Sequence, residues 1–308
     1  MSNGLNRREM LKGAGVATAA LLASPLLQWA SAQGTKTKKL LFFSRSQTYE
    51  HSAITRPKND QDALSFAEKF MVEFGKKANL EVTCSKDGGL FTPEGLAPFD
   101  VIMFYTTGKL EQPMDPKSKN GTCNNKPMPA NGKQVLLDAI AGGKSFLGVH
   151  SATDTWDKIP GPVDPYIKMI GGEFVIHYQQ EKCEIQAVEH NWGTIKDLDT
   201  FTKHEEWYIL RNIAPDMHVL AVQNTKSMKQ PQYNSLDPYP ETWARMHGKG
   251  RVFYTSMGHR EDVWTSPEFQ NVLQGGLNFV AGNVDADLKP NAKEVTPNAK
   301  FREEDKAA

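Results

Sequence analysis

The stretch Lys39 to Ser44 (KLLFFS) is apolar almost without a break, the pattern of a strand covered on both faces of a sheet rather than on one. Three further strands of this half follow, at Glu81 to Cys84, Val101 to Thr106 and Ser145 to Val149. Between the first two lies Asp60 to Ala78, where Ala63, Phe66, Ala67, Phe70, Met71 and Phe74 recur at spacings of three and four and so form one buried stripe of a helix. A second helix, around Lys133 to Ala141, stops at Gly142-Gly143. Strand and helix in alternation predict an α/β fold, a parallel sheet with helices on both faces.

The second half is less regular. Strands are expected at Cys183 to Val188, His218 to Gln223, Thr242 to Met246 and Arg251 to Thr255, with a closing helix over Pro267 to Val280. Glu111 to Asn131, rich in Pro, Asn, Lys and Gly, reads as a long surface excursion. No interdomain linker and no internal repeat stands out, so one domain over residues 33–284 is expected, followed by a polar, disordered tail over 285–308.

Residues 1–32 read as an export signal. Arg7-Arg8 and Lys12 precede a moderately apolar stretch that Gly13, Gly15 and Pro25 interrupt, and Ala30-Ser31-Ala32 supplies the small residues of a cleavage site. The pattern is that of the twin-arginine export machinery, which moves folded proteins, and it places the mature chain in the periplasm. The apolar run falls short of the ~20 residues a bilayer span needs, so no stable membrane anchor is expected after cleavage. Without Arg7, Arg8, Lys12 and Glu9 the 36:36 balance becomes 33 basic against 35 acidic residues. That near-neutrality gives no electrostatic reason to expect nucleic acid as a partner. Cys84, Cys123 and Cys183 lack CxxC spacing. An oxidising compartment permits one disulfide among them, and Cys84 and Cys183 read equally as ordinary buried strand residues.

In an open parallel sheet, ligands sit beyond the carboxyl ends of the strands. Those ends read Tyr49-Glu50-His51-Ser52, Tyr105-Thr106-Thr107-Gly108, His150-Ser151-Ala152-Thr153-Asp154 and Gly258-His259-Arg260-Glu261-Asp262, which bring three of the eight histidines, hydroxyls and carboxylates to one rim. His190, His204, His218 and His247 are more simply surface or strand residues, while His177, after a glycine pair and a short apolar run, could face the pocket. His150 follows Phe146-Leu147-Gly148-Val149 at a sharp turn into small residues, an elbow that would hold its side chain up.

Gly148-Val149-His150-Ser151-Ala152-Thr153-Asp154, Gly171-Gly172-Glu173-Phe174 with His177, Glu205-Glu206-Trp207-Tyr208, and Trp243 followed by Gly248 to His259 together resemble the ThuA-like family, named for trehalose utilisation, over about residues 38 to 282. The resemblance implies a flavodoxin-like fold similar to the class I glutamine amidotransferases, whose elbow carries a cysteine nucleophile and whose last strand is followed by His-Pro-Glu. Here the elbow residue is His150 and the later motif is His259-Arg260-Glu261. With no thiol at the elbow, glutamine hydrolysis is excluded.

Two chemistries suit imidazoles and carboxylates without a thiol. One is acid–base work, with His150 and His259 moving protons, Glu206 orienting them or sharing the task, and Glu261 orienting His259. The other is one divalent, zinc-like ion, with His51, His150, His177 and His259 as candidate ligands. No nucleotide cofactor is expected. His51, Ser52, Tyr105, Trp207, Tyr208 and Trp243 are the candidate substrate contacts; the aromatic ones among them, with Trp156, could stack on sugar faces or could equally be core. The resemblance implies a small carbohydrate as partner and a reaction on oxidised, 3-keto disaccharides or glycosides, either isomerisation or cleavage of the glycosidic bond. The competing reading is a non-catalytic sugar-binding or accessory protein with a metal-containing pocket.

Overall fold

The computed structural model describes residues 37–57, 59–60, 62–115, 125–157 and 161–303. The expected export signal and Cys123 lie outside them. In chain order the strands are β1 (Lys38–Phe43), β2 (Leu80–Ser85), β3 (Val101–Phe104), β4 (Ser145–Val149), β5 (Glu173–His177), β6 (Glu181–Ala187), β7 (Phe201–Glu205), β8 (Tyr208–Arg211), β9 (His218–Asn224), β10 (Tyr239–His247) and β11 (Gly250–Thr255).

Nine of them form one sheet, ordered β2-β1-β3-β4-β11-β10-β9-β6-β7. The first five run parallel, in the order expected of a flavodoxin-like fold. From β11 onward each neighbour is antiparallel. The sheet is therefore parallel where the sequence shows continuous apolar runs and antiparallel where its pattern loosens. β5 and β8 pair separately as a two-stranded antiparallel ribbon.

Both faces of the parallel part are covered, as expected. On one, the helix Pro267–Val280 comes so close that a side chain at Gly276 would collide with Phe253 of β11. On the other, Ile170, which ends the helix Pro165–Ile170, lies against Gly148 and Tyr254. The stripe expected from Asp60 is helical only over Phe66–Phe74, continued by a tighter turn to Ala78. Ser65 sets that start: its hydroxyl accepts the Glu68 N–H, while the Glu68 carboxylate accepts the Ser65 N–H, so two of the four unmatched donors of the first turn are met. The ends of the expected surface excursion are pinned, with the Met128 N–H on the Leu110 carbonyl.

The expectation of a disordered tail does not hold for the described residues beyond 285. Asn291 donates to and accepts from the backbone of Val219, Ala292 and Thr296 are buried, and the Ile213 backbone pairs with the chain at Lys300 and Arg302. The segment is polar because its few anchors are spaced small residues and backbone groups, which leave no periodic apolar pattern.

Candidate functional site

β4 ends at an elbow. His150 has φ +46°, a left-handed backbone that a non-glycine residue adopts at a cost of roughly 1–3 kcal/mol and keeps only where its surroundings hold it. Tyr254 of β11 donates its hydroxyl to the His150 carbonyl at 2.7 Å, and the ring Nδ1 lies 2.8 Å from the Ser256 carbonyl. A carbonyl only accepts, so Nδ1 carries the proton and Nε2 turns a bare lone pair inward.

Two buried carboxylates fix the loop after β11. The Glu241 side chain accepts from Thr255 Oγ1 at 2.8 Å, Ser256 N at 3.0 Å and Met257 N at 3.2 Å. The Glu205 side chain accepts from Gly258 N at 3.0 Å and His259 N at 3.1 Å. Gly258 has φ +115°, and a Cβ there would meet Val149 at 2.8 Å, so the loop needs glycine at this point. Its carbonyl accepts from Tyr105 Oη and Trp264 Nε1. After β1, His51 follows Glu50, whose carboxylate pairs with the fully buried Lys86 at 2.5 Å.

These segments bring His51, His150 and His259 together, with ring centroids 4.8–5.1 Å apart. Glu206, between β7 and β8, enters from the antiparallel side. Its Oε2 lies 3.1 Å from His259 Nδ1, 3.4 Å from His150 Nε2 and 3.8 Å from His51 Nε2. One ligand atom from each of the four residues falls within 4.8 Å of all the others. Among the described residues His51 Nδ1 is a buried ring nitrogen with no hydrogen-bond partner, so nothing inside the protein fixes its proton.

Burial pushes the His51 pKa down to about 3 and lowers that of His150. For His259 burial acts the same way, but the hydrogen bond and charge of Glu206 outweigh it, and the pKa is raised. For Glu206 burial favours the neutral acid, and the three imidazoles gathered around it overcome that, His259 through a hydrogen bond, holding the carboxyl well below the ordinary range. His150 and the Glu206 carboxylate thus aim lone pairs at a common point, and neutral His51, whose proton is not held elsewhere, is free to add a third. Three nitrogens and one oxygen at this spacing fit a zinc-like divalent ion, and the residues present suit it.

Glu206 takes the place in this group that the sequence suggested for His177. The His177 ring is 43% exposed and reaches the other carboxylate oxygen, Oε1, at 3.2 Å. Glu261 does not orient His259; it accepts the Ser52 hydroxyl at 2.6 Å. Trp207, Trp243 and Tyr105 are fully buried, so their faces are closed to a sugar. Trp207 Nε1 donates to the Glu181 carbonyl and Trp243 Nε1 to that of Ile170, which makes both structural. Trp156, equally buried, donates to Glu111. Tyr208 is buried as well, and its ring packs 4.4 Å from that of His150, walling the cluster. His51 is a member of the cluster rather than a residue of its rim. An aromatic group that does reach solvent beside the cluster is Tyr49, 46% exposed and edge-on to His51 at 4.9 Å.

Sequence reasoning passed over Glu241, Glu205 as a loop clamp, and Gln180, whose Nε2 lies 2.8 Å from His259 Nε2. A glutamine in a turn carries no local signal. Gln180, His177, Tyr178, Gln230 and Glu206 line an open groove of about 910 Å³ that gives the cluster access to solvent. Cys84 and Cys183 lie in β2 and β6 as free thiols, neither at an elbow.

A family model described as ThuA, trehalose utilisation, matches residues 39–280. No curated protein matches the chain in sequence. Among solved structures it is similar to a ThuA-like protein from Parabacteroides merdae, with 13% identity and a TM-score of 0.55 over 87% of this chain and 98% of that one. A ThuA-like protein from Bacteroides uniformis gives 16% identity and a TM-score of 0.53 over 81% and 93%. A Salmonella typhimurium protein named as cytoplasmic gives 14% and 0.50 over 80% and 100%. At such identities the structural likeness concerns the fold.

Proposed function

This chain belongs to the ThuA family, named for trehalose utilisation, and we propose that it is a periplasmic enzyme that moves protons on oxidised, 3-keto disaccharides or glycosides. The observation that carries the reading is the convergence of His51, His150 and His259 on Glu206, which itself lines an open groove. Plain sugar binding has no need of three imidazoles sunk around one carboxylate.

A keto group acidifies the C–H bonds beside it. Removal of the C2 proton of a 3-keto glycoside gives an enolate; reprotonation on another atom isomerises the sugar, and expulsion of the glycosidic oxygen from C1, with a proton delivered to that oxygen, cleaves it. His259 is the member of the cluster suited to exchange a proton, since its side chain is 15% exposed and its Nδ1 touches both Glu206 and, at 3.3 Å, His150 Nε2. Glu206 keeps its charge and orients the ring. His51, His150, His259 and Glu206 would hold a divalent ion, which when bound supplies Lewis acidity toward a keto oxygen. His177, on the groove side of Glu206, is placed to exchange protons with a bound sugar.

The test is incubation with 3-keto-trehalose and related keto-glycosides in deuterated water, with and without prior chelation. Deuterium entering beside the ketone, or a new sugar product, is expected. Tight sugar binding with neither outcome would make the protein a binding or accessory component instead. Periplasmic location rests on Arg7-Arg8, and changing both to lysine should leave precursor in the cytoplasm.

A further inference from the structure

The proton on His259 is placed by two residues outside the cluster. Arg260 is held by Asp262, with Nε and Nη2 on its two carboxylate oxygens at 2.9 and 3.0 Å. Its remaining Nη1 reaches Gln180 Oε1 at 3.0 Å. A guanidinium only donates, so the oxygen of the Gln180 amide must face Arg260 and the NH2 must face His259, whose Nε2 is 2.8 Å away. Nε2 then has to accept. The ring proton therefore sits on Nδ1, pointing between Glu206 Oε2 at 3.1 Å and His150 Nε2 at 3.3 Å. That is the place where a cation would sit.

We propose that Gln180, oriented by Arg260, is a positioning residue that holds the His259 proton at the centre of the cluster and so lowers the affinity of the centre for a divalent cation. Coordination through Nδ1 moves the ring proton to Nε2, where it meets the amide hydrogens of Gln180. Turning the amide over moves the conflict to Arg260. Metal-binding histidines ordinarily donate their second N–H to an acceptor; here the second nitrogen faces a donor. Cation entry is therefore coupled to displacement of Gln180, which also lines the groove and is within reach of a bound sugar's hydroxyls. This inference rests on the reading that the cluster takes a divalent ion.

The experiment is zinc affinity, measured by chelator competition at pH 8, for the full chain and its variants. Gln180→Leu removes the opposing donor without adding charge and should tighten zinc by about tenfold; Gln180→Glu, whose two oxygens accept from both Arg260 and His259, should tighten it by about 10- to 100-fold. Arg260→Met should tighten zinc in the Gln180 background and do little beside Gln180→Leu, whereas a long-range charge effect would appear in both. Nitrogen-15 NMR of the metal-free protein should show His259 protonated at Nδ1 and bare at Nε2. Weaker zinc binding by Gln180→Leu, or a proton found on Nε2 of the neutral ring, overturns the proposal. Absence of zinc binding in wild type and every variant instead overturns the metal reading on which it rests, with the NMR result deciding the placement of the proton separately.

Discussion

Glu241 does not line the groove, yet the loop that aims His150 and His259 hangs on it. Its carboxylate is fully buried and accepts from Thr242 Oγ1, Thr255 Oγ1, Ser256 N, Ser256 Oγ and Met257 N. Glu241→Leu strands those donors. Ser256 N keeps a second acceptor in the Glu241 backbone carbonyl at 3.0 Å, and Met257 N keeps only a long contact to Thr255 Oγ1 at 3.4 Å. At about 1–3 kcal/mol for each buried donor left unmet, and with hydroxyls able to turn toward one another, the loss should come to about 4 kcal/mol. For a domain of this size that is a fall in Tm of about 8–16 °C. Glu241→Gln should behave differently. Its amide oxygen retains the four partners of Oε1, Thr242 can turn to accept from the new NH2, and burial already raises the pKa of this carboxyl, so removing the charge costs little. Urea unfolding should place Glu241→Gln within about 1.5 kcal/mol of wild type, and zinc affinity should fall in the leucine variant alone. If both variants lose the same stability, the buried charge rather than the acceptor set holds the loop.

His150→Gln removes a lone pair from the centre while preserving an amide that can still donate toward Ser256. Turnover on a keto-sugar should fall by about two to four orders of magnitude, and if the ion is bound, elemental analysis and a thermal scan should show less of it and a lower Tm. Burial pushes the Cys84 and Cys183 thiols up to about 12, so alkylation of the native protein at pH 8 should be about a thousandfold slower than of a free thiol. Because these thiols stay neutral in the folded chain while ionising in the unfolded one, they should also lower stability as pH rises from about 9 toward 12, a slope that Cys84→Ala reduces.

The parallel half of the fold was legible because it is written locally. Leu40–Phe43, Val101–Phe104 and Phe146–Val149 are buried end to end, and a strand in that setting must be continuously apolar. His51, His150 and His259 were legible for the same reason, since each follows such a strand and the topology brings those ends together. Glu206 was found through a motif resemblance, not a pattern. β7 (FTKHE) and β5 (EFVIH) are short, edge-like and half polar, and what makes them strands is pairing with β6 and β8. Gln180 meets His259 across 79 residues of chain, a contact that nothing in its neighbourhood announces. The tryptophans misled because a large ring with one polar atom suits a sugar and a core equally, and here Trp207 and Trp243 find their partners in backbone carbonyls.

The antiparallel addition also explains why the elbow can do without a nucleophile. In the parallel half alone, three imidazoles would meet with nothing to hold a proton or a cation among them. Glu206, carried in between β7 and β8, brings one negative charge into a site whose side chains are nearly closed to water. Buried charge is tolerated only when it is compensated. Lys86 is committed to Glu50 and Arg260 to Asp262 and Gln180, so the counter-charge falls to the imidazoles that touch Glu206, His177 among them, or to a cation. It can be a proton shared with His259 or a cation held by all four residues, and the two compete for one point in space. If the cluster takes a cation as proposed, it would exchange one positive species for another as its ligand arrives, and proton transfer to a keto-sugar would draw on that exchange.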